Sequence, residues 1–182
     1  LSRLAAGNMV SHMLADYGAD VIKIEKPGKG DDLRNWKVKN VSHWWHVYSR
    51  NKRSIALDFK TNDGKNILKN LIKSSDIFIE NFVPGTLEKW GLSPRNLHKI
   101  NEYLVILRIS GWGQSGLFKN QPGFGSIVEG MSGFAAMTGE KDQMPILPPT
   151  ALADMISGLT GFSSILLSII AKLNKKVKGQ VI

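Results

Sequence analysis

The chain has 182 residues, of which 42% are hydrophobic and 21% charged, and this is enough for one core of ordinary size. It contains no cysteine, which excludes disulfides, zinc–thiolate sites and cysteine nucleophiles. The formal net charge of +9 favours an anionic partner, whether nucleic acid, a membrane surface or a phosphorylated cofactor.

The first part of the sequence alternates between helix and strand patterns. Residues 8–17 carry apolar side chains at helical spacing, and Gly18 after them is typical of a helix C-cap. Residues 20–25 alternate between apolar and polar side chains as a strand does. Residues 26–40, rich in Gly, Lys and Asp, predict a loop, and the aromatic segment 43–48 fits either a helix or an extended segment.

This alternation continues to the C-terminus. The predicted elements are a strand at 54–58, a helix at 63–73, a strand at 76–80, helices at 86–90 and 94–100, a strand at 104–109 and helices at 127–137 and 153–173, the last with Lys172, Lys175 and Lys176 near its end. We therefore expect an α/β fold with a mostly parallel, open, Rossmann-like sheet and helices on both faces. We find no linker, and no apolar run approaches the roughly 20 residues of a membrane span.

Asp154 is the first candidate for chemistry, since it is a lone acid in an apolar stretch of small residues. A buried carboxylate must be satisfied by hydrogen bonds or be retained for a reaction. Its commoner use is that of an acid in the first turn of a helix, stabilised by the macrodipole. The alternative is a nucleophilic carboxylate facing a pocket. Spacing in the sequence leaves both open.

Two further segments follow predicted strands, at the edge where open α/β sheets bind ligands. The run 110–116 contains Gly111, Gly113 and Gln114, and its glycines allow backbone amides to approach an anion closely. A flexible loop is an equally good interpretation. In the turn at 80–85, Phe82 could stack on a base and Asn81 could donate to a carbonyl, although a capped turn with one packed aromatic explains the same residues.

The remaining polar residues give weaker indications. Cations are scattered over several loops, whereas a nucleic-acid-binding protein more often concentrates them on one helix or stripe. His43 and His46 are three residues apart, but no third metal ligand accompanies them, so we expect no metal.

Five segments together carry a recognisable pattern: 14–25, the Gly-Asp-x-x-Arg loop at 30–34, 50–58, 80–86 and 110–116. In this order they resemble the class III CoA-transferases, the CaiB/BaiF-like family that includes formyl-CoA:oxalate, carnitine and succinyl-CoA:dicarboxylate CoA-transferases. The resemblance runs along the whole chain. It implies that the scattered cations share one anionic target, the phosphates of coenzyme A.

The resemblance also assigns roles to residues. The nucleophile of the family falls on Asp154, and the oxyanion donors fall on the Gly-rich run with Gly111, Gly113 and Gln114. The CoA contacts of the family fall on Arg34, Leu57, Lys60, Asn81, Phe82, Lys89 and Trp90. The implied reaction moves CoA from an acyl-CoA donor to a carboxylic acid through aspartyl anhydride and thioester intermediates, without a metal. The implied partners are acyl-CoA and a small carboxylic acid inside the cell, in the cytoplasm or mitochondrial matrix, with neither nucleic acid nor membrane.

Departures from the family pattern narrow the range of substrates and reactions to expect. Ala5 stands where oxalate-type enzymes have Gln, which argues against oxalate and favours a dicarboxylate or another short organic acid. The stretch 123–125 lacks the His that related racemases use, and many relatives have an acid where Gly125 stands.

Family members are also more than twice as long and form interlocked homodimers. We therefore expect residues 1–182 to be one partial large domain, a fragment that lacks the second domain. The alternatives are a truncated CoA-binding remnant without catalysis and a basic nucleic-acid-binding α/β domain.

Overall fold

A computed structural model describes residues 1–175 and 177–182; Lys176, predicted near a helix end, lies outside the described residues. The helices are α1 (Ala6–Asp16), α2 (His43–Ser49), α3 (Asn62–Lys73), α4 (Thr86–Lys89), α5 (Pro94–Ile100), α6 (Gly125–Met131), α7 (Phe134–Thr138) and α8 (Leu152–Leu173). The strands are β1 (Val21–Glu25), β2 (Lys52–Ala56), β3 (Ile77–Glu80) and β4 (Val105–Arg108). The predicted order of helices and strands is confirmed.

The strands pair in parallel, as the alternating pattern predicts. β1 pairs with β2 and β3 pairs with β4, in two separate two-stranded sheets among the described residues. The end of the chain adds a parallel bridge between Val181 and Ile106. A groove of about 460 Å³ separates the edges of β1 and β3, and Leu1 lies along it with its backbone nitrogen donating to the Ile79 carbonyl at 3.0 Å.

Apolar side chains fill two cores on opposite sides of the strands. One core joins β1 to α3, α4 and α5 and includes Leu68, Leu87, Leu97 and Ile106. The other joins β4 to α1 and α8 through Val10, Val105, Leu107 and Ile165. This is the predicted α/β layering, with helices covering both faces.

α8 packs on α1 with glycines at the contact. A Cβ on Gly158 would lie 2.8 Å from Met9 Sδ, and one on Gly161 would lie 2.9 Å from Leu107 Cδ2, so small residues let the elements approach. α8 is also long and apolar enough to cross a membrane, with a mean hydropathy of 1.6, contrary to our expectation from the sequence. Its buried face packs on α1 and β4.

Three local predictions differ from the structure. The helix expected at 127–137 is two helices, because Gly133 adopts a left-handed φ of +82° between α6 and α7. The loop at 26–40 contains a 3-10 helix at Asp32–Asn35, capped by the Asp31 carboxylate through the Leu33 amide. The strand expected at 54–58 begins at Lys52 and ends at Ala56 because it pairs in register with β1.

A buried ion pair joins the ends of β3 and β4. Arg108 Nε donates to Glu80 Oε1 at 2.6 Å, and only 7% and 1% of the two side chains are exposed. Burial raises the pKa of Glu80, although Arg108 and the Phe82 amide, 2.7 Å from Oε2, counteract this. The pair thus fixes the turn that begins at Asn81.

We expect Arg108→Met to lower the free energy of unfolding by about 3–5 kcal/mol at neutral pH, because Glu80 would stay buried without its cation. Urea unfolding measures this loss. Lys172→Met is the matched control, since it breaks only a pair with Asp76, whose side chain is 79% exposed, and should cost at most about 1 kcal/mol. A loss at Arg108 no larger than the control would show that Glu80 does not depend on Arg108.

Candidate active site

The backbone just before and within the first turn of α1 holds two loops and the start of a helix together. The Arg3 amide donates to Asn81 Oδ1 at 2.8 Å, and the Leu4 amide donates to Asp31 Oδ1 at 2.9 Å. The Ala6 amide donates to Asp154 Oδ1 at 3.2 Å. The loops after β1 and β3 and the start of α8 therefore meet at one end of α1.

Asp154 lies in the first turn of α8 and is partly buried. Burial raises the pKa of its carboxyl, the Ala6 amide opposes this, and the charge of Glu129 adds to it. A Cβ on Gly125 would lie 3.2 Å from Asp154 Oδ2, so no side chain on residue 125 covers that oxygen. One carboxylate oxygen is thus held by an amide, and the other faces the space that a glycine leaves.

Two residues near Asp154 escaped the sequence analysis. Tyr48 on α2 is buried, and burial together with the charge of Asp154 raises its pKa. Glu129 on α6 is also buried, and its Oε1 accepts from the Ala153 amide at 2.9 Å. An acid in the middle of a predicted apolar helix was the available signal for Glu129; Tyr48 gave none.

The Gly-rich run forms a loop that closes on itself. A Cβ on Gly111 would lie 2.6 Å from the Gly123 Cα, so the two ends of the loop cross in close backbone contact. Trp112 Nε1 strengthens this closure by donating to the Pro122 carbonyl at 3.0 Å. The loop thus returns two residues before Gly125, beside Asp154.

Of the three oxyanion candidates, Gly111 lies at this closure. Gly113 adopts a left-handed φ of +79° further out in the loop. Gln114 Nε2 lies 3.4 Å from Ser110 Oγ within the loop. Their role as oxyanion donors stays a prediction.

Aromatic rings bring most of the predicted CoA contacts together. Trp90 packs edge-on against Phe59 at 4.9 Å and against Phe82 at 5.2 Å between ring centroids. All three rings pack against the core that contains Leu57. Lys60 and Lys89 are exposed and follow Phe59 and precede Trp90 in the chain, so each cation is a chain neighbour of one ring of this apolar platform.

Arg34 lies on another part of the same edge and is already paired. Its Nε and Nη2 each donate to Glu25 at 2.8 Å, and its guanidinium stacks on Trp45 at 3.8 Å from the ring centroid. Burial alone would raise the pKa of Glu25, but hydrogen bonds from Arg34, Ser54 and the Asp31 amide outweigh it and lower the pKa to about 2. Arg34 therefore holds the Gly-Asp-x-x-Arg loop on the end of β1.

Asn81 is similarly engaged, because its Nδ2 donates to the Arg3 carbonyl at 2.7 Å while its Oδ1 accepts from the Arg3 amide. In this structure Asn81 anchors the segment before α1. Among residues 1–175 and 177–182, no group of three or more histidines and acids is arranged to hold a metal ion.

Comparison with known proteins matches this architecture. The sequence pattern of "CoA-transferase family III" covers residues 1–182. The chain belongs to CoA-transferase family III. A CaiB/BaiF family protein from Brucella suis superposes with a TM-score of 0.93 and is 37% identical, over 100% of this chain and 50% of that one.

Characterised members of family III are similar in sequence. Succinyl-CoA–D-citramalate CoA-transferase of Chloroflexus aurantiacus is 43% identical over 160 residues, covering 86% of this chain and 40% of its own. Succinate–glutarate CoA-transferase of Agrobacterium fabrum is 40% identical over 174 residues, covering 91% and 44%. The chain thus spans less than half the length of these relatives.

The pKa of Glu25 is lower in the folded protein than its ordinary value of 4.5, so ionised Glu25 stabilises the fold at pH values above 4.5. This stabilisation is lost as the pH falls towards the folded pKa of about 2. We expect Glu25→Gln to cost about 3 kcal/mol at pH 7, with a smaller cost at pH 3. Urea titrations at both pH values measure the difference. Asp20→Asn, which breaks an exposed pair with Arg53, should cost little at either pH, and an equal loss for both variants would contradict this role of Glu25.

Proposed function

We propose that this chain forms the CoA-binding part of a CoA-transferase in which Asp154 is the nucleophile. The observation that carries the proposal is the state of the Asp154 carboxylate. Oδ1 is fixed by the Ala6 amide, whereas Oδ2 faces the space left by Gly125. A carboxylate with a raised pKa is more basic, and therefore more nucleophilic, than one neutralised by several donors.

The reaction begins when an Asp154 oxygen attacks the thioester carbonyl of the donor. The C–S bond breaks, which gives a mixed anhydride and CoA thiolate. The thiolate then attacks the aspartyl carbonyl, releases the donor carboxylate and leaves CoA bound to Asp154 as a thioester. An activated acyl bond persists throughout, so no external energy source is needed.

The acceptor carboxylate completes the exchange. It attacks the aspartyl carbonyl, expels CoA thiolate and forms a second anhydride. The thiolate attacks the acceptor carbonyl, which yields the new acyl-CoA and regenerates Asp154. Because Asp154 is partly buried, bulk water has restricted access to these hydrolysable intermediates.

The Gly-rich loop supports the charge that develops on the attacked carbonyl oxygen. Exposed backbone amides in this loop are suited to an oxyanion, and Gly113 has the left-handed φ typical of anion-binding turns. Since Gly111 contacts Gly123, the loop begins near Gly125, which lies beside Asp154.

CoA binds along the platform of Phe59, Phe82 and Trp90. Its apolar part packs on these rings, and Lys60 and Lys89 reach the phosphates. This set offers one anionic ligand both charge and apolar contact, which favours CoA over a nucleic acid read by a basic stripe.

The acceptor is a short dicarboxylate. The relatives named above act on D-citramalate and glutarate, and Ala5 lacks the amide that the resemblance associates with oxalate. The protein acts as a homodimer, as the family resemblance implies. α8 exposes apolar side chains that a second subunit would cover, among them Leu159, Leu167 and Leu173.

We expect Asp154→Asn to abolish CoA exchange while preserving CoA binding, because Asn keeps an oxygen acceptor for the Ala6 amide but cannot attack a thioester. Removing a buried charge with a raised pKa should also leave the melting temperature unchanged or raise it. Each kcal/mol gained in the free energy of unfolding would raise it by about 2–4 °C. Exchange assays and calorimetry on the protein from its full reading frame measure both. The proposal fails if hydroxylamine and acyl-CoA trap no hydroxamate at Asp154 of the wild type, and a non-catalytic remnant is then favoured.

Lys60→Ala and Lys89→Ala should each weaken CoA binding about tenfold, since each removes one charge-assisted phosphate contact. Calorimetric titration with CoA measures the change. Lys69→Ala on α3 is the control, because it removes the same charge from an exposed position along the helix that follows Lys60. If neither site-lysine variant loses more CoA affinity than the Lys69→Ala control, the platform is not the phosphate site. Tighter binding of oligonucleotides than of CoA would favour the nucleic-acid alternative.

A further inference from the structure

Glu129 contacts the start of α8 from a different helix. Its side chain is in α6, is 6% exposed, and accepts from the Ala153 amide at 2.9 Å. The N-cap residue of α8, Ala151, supplies no side-chain hydrogen bond of its own. Glu129 therefore satisfies one of the free amides with which every helix begins.

The same contact brings a second negative charge beside the nucleophile. Ala153 is adjacent to Asp154 in the chain, and the charge of Glu129 contributes to the raised pKa of Asp154. A Ser, Thr or Asn cap would satisfy the Ala153 amide without any charge. A buried acid at this position is therefore more than a helix start requires.

Gly125 leaves the space between the two carboxylates open. It lies one helical turn before Glu129, and its Cβ would lie 3.2 Å from Asp154 Oδ2 and 3.8 Å from Glu129 Oε1. A side chain at this position would fill the space that the two acids share. With glycine there, the substrate carbonyl can approach Oδ2 from the side of Glu129.

Other groups near Asp154 do not neutralise this charge. Among the described residues, the groups that act on or respond to Asp154 are Glu129 from α6, the Ala6 amide of α1 and the Tyr48 hydroxyl from α2. Neither the amide nor the phenol carries a positive charge at neutral pH. The repulsion between the two carboxylates is thus offset by one hydrogen bond to Asp154.

We propose that Glu129 is a positioning residue of the transferase: its carboxylate caps α8 and its negative charge destabilises the free Asp154 carboxylate relative to the neutral acylated forms. This inference rests on the proposed function of Asp154. When Asp154 attacks the thioester carbonyl, its negative charge passes to the departing CoA thiolate and the aspartyl group becomes neutral. The repulsion exists before attack and is absent from the anhydride and the aspartyl thioester, so it favours acylation.

The test compares Glu129→Gln with wild type in the protein from its full reading frame. Gln keeps a carbonyl acceptor for the Ala153 amide and removes only the charge. Succinyl-CoA and glutarate serve as probes, with kcat and kcat/KM measured from pH 4 to pH 8. We expect the acidic limb of kcat/KM to move down by about half a pH unit or more, and kcat at neutral pH to fall about three- to tenfold.

Glu140→Gln is the matched control, because it removes one carboxylate from an exposed position and should leave the pH profile unchanged. Gly125→Ala tests the same geometry in the opposite direction. Its methyl group would lie 3.2 Å from Asp154 Oδ2 and 3.8 Å from Glu129 Oε1 and would shield both carboxylates from solvent, so the acidic limb should move up in pH. This second variant keeps the proposal testable if Glu129→Gln does not fold.

An unchanged acidic limb and unchanged kcat in Glu129→Gln would overturn the proposal. A lowered melting temperature with an unchanged limb would also overturn it, since Glu129 would then be a helix cap alone. Hydroxamate trapping at Asp154 of the wild type separates the two hypotheses. Trapping with an unaltered pH profile in the variant rejects only the role of Glu129, whereas no trapping in the wild type rejects the nucleophile itself.

Discussion

The site depends on how the backbone before and within the first turn of α1 is bound. Amides of Arg3, Leu4 and Ala6 donate to Asn81, Asp31 and Asp154, which come from three parts of the chain that are far apart in sequence. Free backbone amides at a helix start readily donate hydrogen bonds to carboxylate and amide oxygens. Their partners here are therefore positioned relative to one another by a single short segment, and a shift of α1 would move all of them together.

Buried carboxylates in this chain differ in how completely they are compensated. Glu25 receives several donors, including two nitrogens of the Arg34 guanidinium, and its pKa falls to about 2. Glu80 receives Arg108 and one amide, and burial still raises its pKa. Burial raises the pKa of Asp154, the nearby charge of Glu129 adds to this, and only the Ala6 amide opposes it. Unlike Glu25 and Glu80, Asp154 has no cationic partner among the described residues, which suits its carboxylate to chemistry rather than to a structural ion pair.

The sequence predicted those features that are set by residues close together in the chain. Ser93 and Pro94 set the start of α5, and the family motifs identified the fold and the candidate nucleophile. The sequence did not predict contacts between residues that are far apart in the chain. Asn81 looked like a ligand contact, yet its amide is bonded to Arg3, 78 residues away; Glu129 gave no motif because its partner, Ala153, is 24 residues further on. The break at Gly133 was missed because a glycine pattern does not reveal the sign of φ.

The crossing of Gly111 and Gly123 separates the outer part of the loop between them from the reactive centre beside it. Because the backbones touch there, residues 112–122 leave and re-enter the domain at a single point, and residues 117–121, beyond the Gly-rich run, can change without displacing what lies on either side. Related enzymes could therefore diversify this outer part of the loop to suit different acids while inheriting an unaltered reactive centre. Replacing either glycine would remove this separation, since any larger residue would push the two ends of the loop apart and displace the start of α6.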